Sequence, residues 1–230
     1  MLHKTRGIVL SYIKYRETSV IVKVYTDKFG LQSYLINGVR SQKSKKGLAL
    51  VQPLTLLDLV VYHQENKANG LQRISEFKPA IHFVSIPFDI RKTTIALFIT
   101  ELLSMVLHEE EHHGTFFNFL HGFIIHLDQE SKSYSHYHLF LLVQLTHYIG
   151  FGIHNKTELE RQGIIIHSHR DSDKLYETIL QLNQLDLSAP VTYPNALKRE
   201  VLQYMIQYYA MHIEGFKPLK SVEVLQQIFK

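Results

Sequence analysis

The apolar residues of this chain change their spacing partway along, and that change limits the available folds more than any other feature. Up to Ser75 they come in short β-branched or aromatic runs that partly alternate: Gly7–Ile13, Val20–Thr26, Leu31–Asn37, Leu54–Tyr62 and Leu71–Ser75. Period-two runs of this length predict strands. The separators are turn-like, among them Tyr15-Arg16-Glu17-Thr18, Asp27-Lys28-Phe29-Gly30 and Asn66-Lys67-Ala68-Asn69-Gly70. Five short strands in so few residues fit a small closed or partly open barrel; the OB-fold is the natural five-stranded candidate, and a different small barrel would fit the pattern equally well.

Beyond Pro79 the spacing becomes helical. Ile95, Phe98/Ile99, Leu102/Leu103 and Val106 recur every three to four residues, as do Phe116, Phe119/Leu120, Phe123 and Leu127. Further helices are expected over Ser135–Ile149, Lys174–Leu185, Asn195–Ile213 and Leu219–Phe229. Pro194 and Pro218 stand just before two of them, where a missing N–H costs nothing. Between Gly150 and Asp173 the pattern dissolves, with Gly163–His169 as one short strand. The expectation is therefore a two-domain chain: an all-β OB-fold barrel over 1–80 and an all-α helical domain over 81–230. The boundary falls near Glu76–Pro87, and an irregular segment occupies 151–173.

Charge divides along the same line. Residues 1–80 hold thirteen lysines and arginines against five acids, a net +8, whereas the rest hold twelve against sixteen, a net −4. Such asymmetry suits a first domain that meets a polyanion, with long-range attraction coming from that third alone. The densest run is NGVRSQKSKKG, Asn37–Gly47, with Arg40, Lys43, Lys45, Lys46 and no acid. Tyr12, Tyr15, Tyr25 and Tyr34 lie among Lys14, Arg16, Lys23 and Arg40, and aromatics beside cations are how OB surfaces hold single strands. The bland alternative is that the tyrosines are barrel-wall residues and the cations solubilise the surface.

With no cysteine, disulfides, thiolate metal sites and cysteine catalysis are excluded. No apolar run approaches a bilayer span, and Met1–Arg6 leads into no signal-peptide core, so a cytoplasmic, non-membrane protein is expected. His108-Glu109-Glu110-Glu111-His112 satisfies HExxH, which on a helix would place two zinc ligands and a general base together. It falls where the apolar pattern stops, with Gly114 close behind and three consecutive glutamates that suit solvent. Any third ligand, such as Glu130, would be an arbitrary choice, so a zinc hydrolase is declined. His154, His167 and His169 could approach a metal only if the irregular segment folds back. No catalytic residue, metal site or cofactor is expected.

The residues also resemble a family. Arg6-Gly7-Ile8-Val9-Leu10, Tyr15-Arg16-Glu17-Thr18-Ser19, Val24-Tyr25-Thr26 with Phe29-Gly30-Leu31, Asn37-Gly38-Val39-Arg40 with Lys43-Ser44, and Val51-Gln52-Pro53-Leu54 resemble the opening of RecO, the bacterial recombination mediators. The likeness resumes at Tyr208–Phe216 and at Leu219-Lys220-Ser221-Val222-Glu223-Val224-Leu225. It implies an OB-fold, a helical domain and a non-enzymatic task in recombinational repair. Such proteins bind single- and double-stranded DNA, anneal complementary strands, and with RecR help load recombinase onto DNA coated by single-stranded-DNA-binding protein. Many members carry a four-cysteine zinc finger in the helical domain. Here the matching segment, Phe151–Lys174, has no cysteine, so its stability must come from packing.

Lys4, Arg6, Lys14, Arg16, Lys23, Arg40, Lys43, Lys45 and Lys46 are the expected DNA contacts, with Tyr15 and Tyr25 as stacking partners. The acidic, Phe-ending tail of single-stranded-DNA-binding protein is the partner implied for the helical domain. A receptor for it needs a cation beside an apolar pocket. Lys198, Arg199, Lys217 and Lys220, near Phe216 and Leu219, qualify by composition. A different class of function, an OB-domain adaptor for protein or RNA, stays open at this level.

Overall fold

The computed structural model describes residues 1–41, 45–64, 70–107, 114–164 and 172–229. Five strands form a closed barrel in the order β1-β2-β3-β5-β4: β1 (Leu2–Tyr15), β2 (Ser19–Thr26), β3 (Gly30–Ile36), β4 (Leu56–Tyr62) and β5 (Gln72–Pro79). All pairings are antiparallel except β3 with β5. This is the five-stranded OB-like barrel that the alternation predicts, with the short helix α1 (Lys45–Ala49) between β3 and β4. Among the described residues the other helices are α2 (Ile90–Val106), α3 (Gly114–Gln129), α4 (Tyr137–Tyr148), α5 (Lys156–Arg161), α6 (Ser172–Gln184), α7 (Asn195–His212) and α8 (Ser221–Ile228).

Strand β1 is twice the length that the apolar pattern suggested, because its two halves serve different neighbours. Leu2–Ile8 pairs with β4 and Gly7–Tyr15 with β2. Its first residues include His3, Lys4 and Arg6, so no apolar alternation marks them. A bulge between Val9 and Ser11 shifts the register where the strand turns. Gly7 permits the close approach there: a Cβ would stand 2.6 Å from Val24 Cγ1 and 2.7 Å from Leu59 Cδ1. Val9, Val20, Val22, Val24, Leu57, Leu59 and Val61 fill the interior, with Val39 and Val51 from the β3–β4 connection.

The chain divides into two compact units. One comprises Met1–Phe88 and Thr100–Asp128, the other Asp89–Ile99 and Gln129–Lys230. In the first, Phe116 and Phe117 of α3 pack on Tyr25, with ring centroids 5.7 and 5.9 Å away. Tyr25 faces outward on β2, in register with Ile8 and Leu31, and all three are buried. Asp128, at the end of α3, accepts backbone N–H bonds from Val84, Ser85 and Ile86 at 2.8–2.9 Å. Burial pushes that carboxyl up, but these donors outweigh it and hold it below the ordinary aspartate range.

In the second unit, the segment that dissolves in the pattern contains a helix of its own. Asn155 caps α5 by accepting from Glu158 N at 3.0 Å. Ile153 and Leu159 are fully buried. Tyr204 Oη donates to Leu159 O at 2.7 Å, Tyr208 Oη to Phe151 O at 3.0 Å, and Asn183 Nδ2 to Ile153 O at 2.9 Å. Two apolar anchors and three side-chain donors thus hold Phe151–Arg161. Gly163 and Ile164 form no strand, and the rest of Gly163–His169 lies outside the described residues.

Candidate nucleic-acid interface

Residues alternate across a strand, so the outer face of the barrel follows from the register. On β1, β2 and β3 it carries two rows between the β1–β2 hairpin tip and the part covered by α3. Ser11, Lys23 and Ser33 form one row; Ile13, Ile21 and Leu35 form the other, which Arg73 of β5 extends. Ile13 is 62% exposed and stands in one row with half-buried Ile21 and Leu35, so the three make a contiguous apolar patch rather than an isolated side chain. Neither row contains an acid.

The hairpin tip adds cations. Arg16 adopts φ 52°, and its guanidinium lies 5.3 Å from the Tyr15 ring centroid. The chain after β3 folds back on this tip: Arg40 N donates to Thr18 O at 2.9 Å and Arg40 Nη1 to Arg16 O at 3.1 Å. Ser19 Oγ donates to Asn37 Oδ1 at 3.0 Å. The start of the basic run is therefore fastened beside Tyr15 and Arg16, with exposed Lys14 and Glu17 at the same tip. Lys43 and the side chains of Lys45 and Lys46 lie outside the described residues.

Not every expected contact joins this face. Tyr25 is 1% exposed beneath Phe116 and Phe117, so it cannot stack on a base; it is a packing residue. Lys4 and Arg6 lie on the N-terminal half of β1, in register with Val60 and Asp58 of β4. There they line a groove of about 520 Å³ with Lys28, Lys78, Asp27, Asp58 and Glu76. Arg6 pairs with Asp27 at 2.8 Å and Lys78 with Asp58 at 3.5 Å, so this groove mixes both signs. Ile13, Ile21, Leu35 and Arg73 escaped the sequence reading. Strand alternation does place Ile21 with Lys23, and Ser33 with Leu35. Because both faces of β2 and β3 carry apolar residues, only the closed barrel decides which one faces out.

In the second unit, Lys198 and Arg199 of α7 reach one cleft with His138, Leu202, Leu225, Gln226 and Phe229. Lys198 also lines an adjoining cavity of about 240 Å³ with Arg91, Lys132, Ser135, Asn195 and Phe229. Lys198 is only 8% exposed, and burial lowers its pKa; its Nζ donates to Ser135 Oγ at 3.2 Å. His136 and His138 are buried nearby, and among the described residues neither nitrogen of His136 has a hydrogen-bond partner. Burial, reinforced by Lys198, pushes His136 down to about 4; burial, with Lys198 and His136, pushes His138 down to about 3. Both are neutral at physiological pH. Phe216 packs on Tyr209 at 5.8 Å, and neither it nor exposed Lys217 and Lys220 lines these cavities. Arg91 and Lys132, which do, were not anticipated, since only the fold brings 91, 132 and 198 together.

His108–His112, His167 and His169 lie outside the described residues, so the HExxH match has no described geometry. Among the described residues no helix is long and apolar enough to cross a membrane.

The family model described as "Recombination protein O N terminal" matches residues 1–83, and "Recombination protein O C terminal" matches 87–157. The chain is 38% identical to the DNA repair protein RecO of Flavobacterium psychrophilum, over 98% of both chains. It is 34% identical to that of Flavobacterium johnsoniae over 98% of each, and 32% identical to that of Phocaeicola vulgatus over the full length of both. With barrel and helices in the expected order, and with matches that run from end to end, this chain belongs to the RecO family of DNA repair proteins.

Proposed function

We propose that this protein is a recombination mediator that binds single- and double-stranded DNA, anneals complementary strands, and with RecR helps load recombinase onto single strands coated by single-stranded-DNA-binding protein. It carries out this task in the cytoplasm, at the nucleoid when active, and needs neither a cofactor nor a catalytic group. The observation that carries the reading is a pair of outer-face rows without an acid: Lys23 and Arg73 beside an apolar row, with Tyr15, Arg16 and Arg40 at the hairpin tip. Neutralising phosphates lowers the repulsion between two strands, and weak preference among bases leaves them free to search for register. The apolar row and Tyr15 supply contact for unstacked bases.

The tail of single-stranded-DNA-binding protein docks on the helical part, at the two adjoining cavities that Lys198 and Phe229 both line, one with Arg199 and the other with Arg91 and Lys132. Cations for a terminal carboxylate beside an apolar wall are what such a tail requires. Annealing of complementary strands precoated with single-stranded-DNA-binding protein, with and without RecR, tests the whole reading. The protein should speed annealing of coated strands, and a Lys23→Ala/Arg73→Ala variant should not. Equal rates with and without the protein would defeat the proposal.

A further inference from the structure

The apolar row on the outer face of the barrel does not stop at Arg73. By register, Ile13 of β1 stands beside Ile21 of β2, Ile21 beside Leu35 of β3, and Leu35 beside Arg73 of β5. Arg73 in turn stands beside Tyr62 of β4, and Tyr62 beside Leu2 of β1. The row thus crosses every strand and returns to β1, whose two halves form its two ends. Strands of a closed barrel tilt against its axis, so a row that crosses them climbs along the barrel rather than circling it at one level. Tyr62 is 47% exposed and Leu2 51%, so the track is open at this far end as well. The neighbouring rows mark its border. Lys4, Val60 and Glu76 stand side by side, and beyond them Arg6, Asp58 and Lys78. Exposed Glu76 repels a phosphate, and Asp58 pairs with Lys78 at 3.5 Å. The row from Ile13 to Leu2 has no acid, and its one charge is exposed Arg73.

We infer that the path of single-stranded DNA continues past Arg73 to the β4 end of this row, where Tyr62 stacks on a base. From Ile13 to Tyr62 the row crosses from β1 over β2, β3 and β5 to β4. At about 4.8 Å per strand spacing that is roughly 19 Å, enough for a few nucleotides. Phosphates lie beside Lys23 and Arg73, and the bases turn to the apolar row, with Tyr15 at the hairpin tip and Tyr62 at the opposite end. A tyrosine ring offers its face to any base, so the hold carries no sequence preference. The isoleucines and leucine between the two rings have no group that can hydrogen-bond a base edge. Bases laid along them keep those edges free for a complementary strand. This inference rests on the DNA-binding reading above.

The test titrates a labelled oligothymidine of about 12 nucleotides, within the range that an OB barrel covers, and a duplex of the same length. Both are measured against wild type, Tyr62→Ala, Tyr62→Phe and Lys23→Ala/Arg73→Ala at several salt concentrations. Tyr62→Ala should bind the single strand about tenfold more weakly at the wild-type salt slope, because a ring is lost and no charge. It should bind the duplex as wild type does, since paired bases stack on one another. Tyr62→Phe should keep the wild-type affinity, because the ring and not the hydroxyl meets the base. If Tyr62→Ala binds the single strand as tightly as wild type, or weakens single strand and duplex alike, Tyr62 is not a stacking residue and the inference is overturned. A Tyr62→Phe variant as weak as Tyr62→Ala overturns it too. The DNA face itself survives these results as long as the double variant flattens the salt slope. If the double variant keeps the wild-type slope, the face lies elsewhere and this inference falls with it.

Discussion

The guanidinium of Arg6 donates twice to Asp27 Oδ2, from Nε at 3.1 Å and Nη2 at 2.8 Å. Nη2 also donates to Asn118 Oδ1 at 2.8 Å, and the guanidinium carbon lies 5.0 Å from the Phe117 ring centroid. An arginine expected to grip phosphate instead ties β1 to the β2–β3 turn and to α3. Arg6→Ala should cost about 1 kcal/mol of stability, a modest sum because the pair is partly exposed. It should leave the salt dependence of DNA binding unchanged. Urea melts alongside DNA titrations check both halves, and a flattened salt slope would return Arg6 to the interface.

Arg16, Lys23, Arg40 and Arg73 should behave in the opposite way. Each alanine substitution should reduce the slope of log K against log salt by about 0.7 for single strands, the change expected when one phosphate is no longer neutralised. Affinity should fall by similar factors across unrelated sequences, because these cations meet the nucleic-acid backbone. Fluorescence titration at several salt concentrations measures this; four variants with wild-type slopes would remove the face from DNA binding.

The two tyrosines on adjacent strands should separate cleanly. Tyr15→Ala should weaken single-strand binding by about 1 kcal/mol by removing a stacking surface, with little change in stability. Tyr25→Ala removes a buried ring from beneath Phe116 and Phe117 and should cost about 3 kcal/mol of stability. Thermal melts with paired DNA titrations distinguish them. Equal effects on binding at matched stability would contradict the assignment.

His136 and His138 should make the helical unit acid-sensitive. Their folded-state values, about 4 and about 3, lie below that of an exposed histidine, so the unfolded chain binds more protons as pH falls from about 6.5. Stability is complete above that pH and is lost as pH drops toward 4, by up to about 1.4 kcal/mol per unit for each histidine. The groups near them are Lys198, which opposes protonation of both, and Glu130, which favours protonation of His136. Urea midpoints between pH 7 and 4 read this out. His136→Phe should flatten the dependence, and an unaltered pH profile in that variant would refute it.

Much of the fold was legible because burial imposes a period. Val20, Val22 and Val24 had to face one way, and Phe116, Leu120, Phe123 and Leu127 had to share one stripe, whatever surrounded them. Elements held by partners distant in sequence left no such trace. The polar start of β1 is a strand because β4 pairs with it, and α5 is held by Tyr204, Tyr208 and Asn183 from other helices. The candidate interface was half legible for the same reason. Lys23, Tyr15, Arg16 and Arg40 carried a charge and aromatic signal, whereas Arg73 and Ile13 became part of the face only through register.

By itself, then, the sequence determined the barrel, the helices that follow it, the absence of cysteine chemistry and the basic character of the first third. Local periodicity and composition are set residue by residue. The tertiary structure decided which cations rest on neutral partners and which are already paired with an acid. Arg16 and Arg40 stand together at a hairpin tip, while Arg6, equally basic, is held by Asp27 and Asn118. Charge is a property of a residue, but its availability depends on what lies within about 3 Å of it, and only the folded chain sets that distance.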